Sequence, residues 1–170
     1  MVGAMVFMSR VERVVPQRVV GEREALGQQL EFQRATLVGK LDGLEDAALR
    51  RPMTGSGVSL LGLVKHLAAT EHGWFICVYA GADEPELWPA DEDFRVGDGE
   101  TAEGLVGAYL RVCERAREVV AAGGLDDVVR TPSGAEVNLR AILMHMVQET
   151  ARHNGHADII RESIDGATGY

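Results

Sequence analysis

Residues 142–164, ILMHMVQETARHNGHADIIRESI, contain the longest helical pattern of the sequence. At 3.6 residues per turn, one face of a helix over this stretch collects both apolar and polar side chains. These are Ile142, Met146, Glu149, His153, His156, Ile160 and Ile164. The apolar members predict that the face is buried in a helical core. Because a buried carboxylate is costly unless it is compensated, Glu149 requires a partner.

Glu149 and His153 are four residues apart, so both side chains can lie over one point of the helix surface. This spacing allows one helix to give two ligands to a metal ion, and His156 lies one turn further along. A metal-free network of buried hydrogen bonds would be compatible with the same spacing. The pattern therefore indicates either a metal site or a polar network.

Two amphipathic segments lie in the first half of the chain. Leucines recur at helical spacing between residues 22 and 44, with charged and amide residues between them. After a loop at 51–57 that contains Pro and Gly, Ser59 is a suitable N-cap for a second helix over 60–80. The inward face of this second helix should carry Leu60, Val64, Leu67, Trp74 and Val78.

The remaining segments complete a helical fold. A third helix is predicted from the N-cap residue Thr101 to about Ala122, and the fourth from Asn138 to Gly166. The acidic stretch 81–100 contains prolines and glycines, which predicts a long crossover loop between the second and third helices, anchored by Trp88 and Phe94. Residues 125–137 are compatible with a small hairpin or a loop. The sequence therefore predicts an all-α four-helix bundle.

Length and composition favour one domain. The 170 residues are 46% hydrophobic and 25% charged, which is typical of a globular protein with its own core. We expect the bundle domain over 21–170, preceded by an N-terminal extension over 1–20. This extension lacks the apolar core of a signal peptide, and no stretch reaches the roughly 20 apolar residues of a membrane span. These features predict a cytoplasmic protein that does not bind a membrane.

Charge and cysteine content exclude further classes. A net charge of −9 without a stripe of Lys and Arg disfavours nucleic acid as a partner. Two cysteines, Cys77 and Cys113, do not make a disulfide framework, and a reducing compartment suits them better. We expect both to be small apolar packing residues rather than nucleophiles.

A metal site needs a third ligand from another helix. His66 and His72 in the second helix each lie about 120° from the centre of its apolar face, so periodicity does not choose between them. His145, at the edge of the core stripe of the last helix, is expected to be structural.

Residues 60–68, LLGLVKHLA, and 149–158, ETARHNGHAD, resemble the second- and fourth-helix signatures of the DinB-like superfamily of metalloproteins. The similarity runs from about residue 21 to residue 166. Two further runs, LEFQR at 30–34 and DFRV at 93–96, resemble the actinobacterial branch of that superfamily. In the superfamily, a histidine of the second helix and two residues four apart on the last helix bind a divalent metal. The resemblance therefore implies the ligands His66, Glu149 and His153, and we expect His72 to be solvated.

The commoner pattern of the superfamily has histidine at both positions of the last helix. Glu149 replaces the first, as in the similar mycothiol-dependent maleylpyruvate isomerase. Two imidazoles and one carboxylate match catalytic zinc sites, and they also suit nickel, iron or manganese. His156 stands where many relatives have glutamine, so we expect it to face the substrate as a catalytic residue rather than to bind the metal.

Three protein ligands leave coordination positions open, where a metal can lower the pKa of water or bind a thiol as its thiolate. Characterised relatives use mycothiol or bacillithiol as the cosubstrate in S-transfer or isomerisation. The resemblance implies a thiol-dependent transferase or isomerase that acts on an electrophilic small molecule. The alternative is a non-catalytic bundle that binds a small ligand or forms a homodimer, with the metal as a structural staple.

Overall fold

The computed structural model describes residues 11–89 and 91–169. Within these residues the chain is mostly helical, with one two-stranded antiparallel sheet, which confirms the predicted all-α class. The elements are α1 Glu22–Gly39, α2 Asp46–Leu49, α3 Leu60–Glu71, a π-helical segment His72–Tyr79, α4 Ala102–Ala122, β1 Val128–Arg130, β2 Glu136–Asn138 and α5 Leu139–Asp165. The β1–β2 pair resolves the two alternatives for residues 125–137 in favour of a hairpin.

Predicted capping residues set the ends of the long helices. The side chains of Ser59, Thr101 and Asn138 each accept a hydrogen bond from a backbone N–H three residues on, at the start of α3, α4 and α5. Such bonds satisfy N–H groups that have no partner within the helix. Gly166 follows α5 with a φ of 79°, a left-handed conformation that favours glycine.

The second predicted helix changes type part-way along. In the π-helical segment that continues α3, the N–H of Ala80 donates to the carbonyl of Phe75, five residues back, at 3.0 Å. This wider turn alters which side chains face the core. Phe75 and Ile76 are buried, whereas Trp74 and Val78, which α-helical periodicity placed inward, are only partly buried.

The long helices pack pairwise around two apolar clusters. α1 lies along α5 and α3 lies along α4, while α3 also contacts α5. One cluster includes Leu37, Leu60, Leu63, Leu67, Tyr109, Ala157 and Ile160. The other includes Leu30, Phe75, Ala116, Ile142 and Met146. Each of α1 and α5 contributes to both clusters, and so does the continuous run of α3 and the π-helical segment.

A layer of buried polar side chains separates these clusters. It consists of Arg34 on α1, Glu71 at the end of α3, and Thr150, His153 and Asn154 on α5. Arg34 donates from Nε to Oε1 of Glu71 at 2.7 Å and also pairs with the second carboxylate oxygen. We call these five residues the polar layer. It places the polar part of α5 beside α3.

The segments outside the helices fall into two parts. Residues 81–89 and 91–101 form no helix or strand, and Trp88 and Phe94 pack against the core from this crossover. Of the predicted N-terminal extension, residues 1–10 lie outside the described residues, while 11–20 form no helix or strand. None of the described helices combines the length and the apolar character needed to traverse a bilayer.

Candidate metal centre

Three side chains from two helices converge beside the polar layer. On α5, Glu149 and His153 lie one turn apart, and Nε2 of His153 is 3.0 Å from Oε1 of Glu149. From α3, Nε2 of His66 approaches the same oxygen at 3.3 Å. The ligand atoms of these three residues all lie within 4.8 Å of one another. The structure therefore brings together the three residues that the resemblance implied.

His72, the other histidine that periodicity left open, lies outside this group. The expectation that His72 is solvated is wrong, because its side chain is only 3% exposed. The change to π-helical geometry turns it inward, where Nε2 faces Oε2 of Glu84 at 3.2 Å and Nδ1 faces Sγ of Cys77 at 3.5 Å. Cys77 is itself half-buried, whereas Cys113 is buried as expected.

The His66 ring is held in place by the crossover. Its Nδ1–H donates to Oδ2 of Asp93 at 2.7 Å, and the ring of Phe94 stacks on it at a centroid distance of 3.9 Å. A carboxylate on one imidazole nitrogen fixes the tautomer and leaves the other nitrogen free to bind a metal. Asp93 is therefore a site residue that helical periodicity could not identify, because it lies in an irregular segment.

The α3 signature itself explains how this crossover docks. Lys65 donates from Nζ to the carbonyl of Arg95 at 2.7 Å and to Oε2 of Glu100 at 2.9 Å. Gly62 lets the backbone approach closely, because a Cβ atom there would lie 2.3 Å from the carbonyl oxygen of Phe94. Two residues of the run LLGLVKHLA thus position the loop that supports His66.

His156 lies at the rim of the group rather than within it. It is exposed, and its Nδ1 is 3.4 Å from Nδ1 of His153. In the tautomer that leaves Nε2 of His153 free for a metal, the Nδ1–H of His153 donates to Nδ1 of His156. This position is compatible with the expected role outside the ligand set.

The electrostatics of the group suit a cation. Burial raises the pKa of Glu149, but the adjacent His66 and His153 side chains outweigh it, so the pKa falls below its ordinary value. Burial, together with the nearby His66, lowers the pKa of His153. At neutral pH the group therefore offers a carboxylate and a neutral imidazole, the forms that bind metals.

The donor set fits a divalent metal. Two imidazole nitrogens and one carboxylate oxygen are the ligands of many catalytic zinc sites, in which a fourth position stays open. Among the residues that the structure describes, no other trio of His, Cys, Asp or Glu brings its ligand atoms together as closely. Metal binding would also compensate the partly buried Glu149 carboxylate, as the sequence required.

A sequence model of the mycothiol S-transferase family matches residues 25–166. The match includes α3 and α5, and with them every residue of the candidate metal centre. The chain belongs to the mycothiol S-transferase family. The relation to DinB-like, mycothiol-using proteins that the two helix signatures predicted is therefore confirmed. No curated protein matches the chain.

In this member of the mycothiol S-transferase family, a cavity of about 440 Å³ adjoins the candidate metal centre. Thr70 and Asp93 line it, and both contact His66, since Oγ1 of Thr70 is 3.5 Å from Nε2 of His66. Trp74 and Trp88 contribute apolar surface. A small molecule in this cavity would therefore lie next to two residues that contact His66.

Proposed function

We propose that this chain is a divalent-metal-dependent mycothiol S-transferase, in which His66, Glu149 and His153 hold the metal ion. The observation that carries the proposal is the approach of their ligand atoms to within 4.8 Å in a chain of this family. Zinc is the metal that we favour. Nickel, iron and manganese are the alternatives, because they accept the same donor set.

The metal, when bound, would lower the pKa of the mycothiol thiol so that the thiolate forms at neutral pH. The residues of the chain prepare this site. Asp93 holds the His66 ring with Nε2 toward the site, and Glu149 supplies the negative charge that attracts a cation. His156 is the proposed catalytic residue, since its exposed imidazole at the rim is suited to orient a substrate group.

The second substrate is proposed to be an electrophilic small molecule that enters by the cavity beside His66. A volume of about 440 Å³ lies within the usual range for small-molecule sites. Trp74, Leu87 and Trp88 favour an electrophile with an apolar part. Transfer forms a bond between the mycothiol sulfur and the electrophilic carbon, while the bond from that carbon to its leaving group breaks and the thiol proton is released to water. Isomerisation, in which the thiol adds and later departs, is the related alternative.

The competing interpretation is a non-catalytic bundle with a structural metal. Structural zinc sites are closed by four protein ligands. His156 is the fourth candidate on α5, yet its Nδ1 lies against Nδ1 of His153, on the side of that ring away from Glu149. This arrangement favours a site with an open position, and hence the transferase.

The direct test is a transferase assay with mycothiol and a reactive aryl halide, on protein loaded with zinc and on protein treated with a chelator. We expect metal-dependent formation of the thioether, retained in His145→Gln and lost in His153→Ala. His145 is the matched control, because it lies on the same helix but packs against Trp74. Equal activity with and without metal would contradict the proposal.

The proposal also includes the architecture of the whole chain. The four long helices are proposed to form the DinB-like four-helix bundle over residues 21–170, with 1–20 as an extension. The pairing of α1 with α5 and of α3 with α4 supports this arrangement. Membership in the actinobacterial branch, a cytoplasmic location and a homodimer stay predictions.

A further inference from the structure

A second chain of interacting polar groups lines the same cavity, away from the candidate metal centre. The thiol of Cys77 lies 3.5 Å from Nδ1 of His72, and Nε2 of His72 lies 3.2 Å from Oε2 of Glu84. Arg115 holds the Glu84 carboxylate with two hydrogen bonds, of 3.0 and 2.6 Å. Cys77, His72 and Glu84 all line the cavity.

The π-helical geometry brings the thiol to the imidazole. In an α-helix, side chains five residues apart point about 140° away from each other. The wider turn of the π-helical segment brings residues five apart closer in angle, and Sγ of Cys77 lies 3.5 Å from Nδ1 of His72. The departure from α-helical geometry at this point thus creates the Cys77–His72 contact, and short π-helical segments often occur at functional sites.

The arrangement is a proton relay rather than a second metal site. Cys77 and Glu84 approach opposite nitrogens of the His72 ring, so they cannot share one cation with it. With the Nε2–H donating to Glu84, Nδ1 is the acceptor that faces the thiol. Cys77, His72 and Glu84 thus have the arrangement of an activated nucleophile, in which a carboxylate orients the base that accepts the proton of the nucleophile.

The charges around the relay make the base necessary. Burial and the nearby Glu84 raise the pKa of the Cys77 thiol, with Arg115 opposing and Glu86 adding to the effect. The thiol therefore stays protonated at neutral pH and needs a proton acceptor to react. Hydrogen bonds from Arg115 and His72 lower the pKa of Glu84 to about 2, so its carboxylate stays charged and can stabilise a protonated His72.

We propose that Cys77 is a redox modification site, which attacks the disulfide of a low-molecular-weight thiol bound in the cavity. The Cys77 thiol gives its proton to Nδ1 of His72, and its sulfur forms a bond to one sulfur of the disulfide. The original disulfide bond breaks, and the departing thiolate takes up the proton from His72. The small disulfide is the oxidant, and one equivalent of thiol is released for each mixed disulfide formed.

The geometry of the relay supports Cys77 as the nucleophile. That the disulfide is one of a low-molecular-weight thiol rests on the proposed function. A protein that binds mycothiol beside this cavity also recognises the mycothiol groups that its disulfide carries. The mixed disulfide would occupy the cavity that Thr70 and Asp93 share with the candidate metal centre. Modification would therefore block access to His66 until a reductant removes it.

The test is intact-protein mass spectrometry with peptide mapping, after the full chain is incubated with mycothiol disulfide or glutathione disulfide. We expect one adduct on Cys77, absent from Cys77→Ser and reversed by a reductant. The amount of adduct should be the same after chelator treatment. This test therefore does not depend on the metal that the transferase proposal requires. No adduct with either disulfide, or an adduct on Cys113 alone, would overturn the proposal.

An exposed carboxylate of the cavity tests the relay itself. Glu84→Gln removes the charge that supports His72, so we expect adduct formation to slow by about tenfold or more. The control Asp83→Asn removes an exposed carboxylate from the same segment but outside the cavity lining, and the rate should stay within about twofold. If Cys77 reacted as a simple thiolate, Glu84→Gln would instead accelerate the reaction, since Glu84 raises the thiol pKa.

Discussion

At the scale of single residues, the orientation of His66 decides whether the candidate centre can bind a metal. Oδ2 of Asp93 accepts the Nδ1–H of His66 at 2.7 Å, and Phe94 stacks on the ring. With these contacts in place, Nε2 faces Glu149 before any ligand arrives. Rotation of the ring is restricted, which reduces the entropy that metal binding would otherwise cost.

Asp93→Asn should therefore weaken metal binding without unfolding the protein. The amide still accepts the hydrogen bond but lacks the negative charge, and loss of such a partner typically costs about 10–100-fold in metal affinity. Competition titration with a zinc indicator measures the effect. Asp91→Asn, an exposed carboxylate in the same crossover, is the matched control and should leave the affinity unchanged. Equal affinities for the two variants would contradict the role of Asp93.

Cys113 gives a prediction about pH. Burial, with Glu71 nearby, raises the pKa of its thiol from 9.0 to about 12. Above pH 9 the unfolded state loses this proton while the folded state keeps it. The contribution of the protonated thiol to the free energy of unfolding is therefore fully present below pH 9 and is lost as the pH rises to 12. The free energy of unfolding should then fall by about 1 kcal/mol per pH unit above pH 9 through this group. Denaturant unfolding at pH 8 and pH 10 measures the effect. The free energy of unfolding should decrease less between these pH values for Cys113→Ala than for the unsubstituted protein, and equal decreases would contradict the role of Cys113.

The three candidate ligands could be identified from the sequence, whereas the residues that contact them could not. Glu149 and His153 followed from a helical stripe, and His66 from the resemblance. Asp93 is separated from His66 by an irregular crossover, so no periodic pattern connects them. His72 was expected in water because α-helical geometry was assumed for residues that are π-helical.

At the scale of elements, α3 serves as the platform on which the crossover docks. A Cβ atom on Gly62 would lie 2.3 Å from the carbonyl oxygen of Phe94, which is backbone and cannot rotate away. Gly62→Ala should therefore displace the loop that carries Asp93, destabilise the protein by about 1–3 kcal/mol and weaken metal binding. Thermal unfolding and the same zinc titration measure the two effects.

The matched control for this prediction is Gly27→Ala in α1. A Cβ atom at Gly27 meets nothing within 4 Å. Its helical position predicts a gain of about 0.4–1 kcal/mol, because alanine restricts the unfolded chain more than glycine does. If both substitutions had the same effect on stability, the close approach of α3 and the crossover would not be the cause.

The ion pair between α1 and α3 is a second property of the elements. The side chains of Arg34 and Glu71 are 5% and 0% exposed. Glu71→Gln leaves the buried guanidinium with only the partly exposed Glu31 carboxylate as a counter-charge. We therefore expect a loss at the lower end of about 3–5 kcal/mol in the free energy of unfolding. Glu136→Gln breaks the exposed pair with Arg130 and should cost less than about 1 kcal/mol. Chemical denaturation compares the variants, and similar losses would show that burial does not govern the cost.

Local signals in the sequence explain why several boundaries of the helices could be predicted. Ser59, Thr101 and Asn138 are N-caps because their side chains accept a backbone hydrogen bond, and this property is readable from the residue type. The residue types of the π-helical segment carry no such signal, and the burial of Phe75 and Ile76 becomes apparent only in the structure. The short helix α2 was likewise not predicted.

At the scale of the whole molecule, the polar layer lies between two apolar clusters. Arg34, Glu71 and His153 come from three helices and occupy the same level of the fold. The stripe on α5 predicted that polar residues would interrupt an apolar face, but it could not show that α1 and α3 are polar at the same level. His153 belongs to this layer, so the candidate centre lies where polar side chains interrupt the apolar core.

Elemental analysis of the purified protein shows whether His66, Glu149 and His153 together hold one divalent metal. We expect roughly one divalent ion per chain, as for a single three-ligand site. His145→Gln should retain this content and His153→Ala should lose it, with both variants folded by circular dichroism. A folded His153→Ala protein with an unchanged metal content would mean that these three residues do not hold the metal.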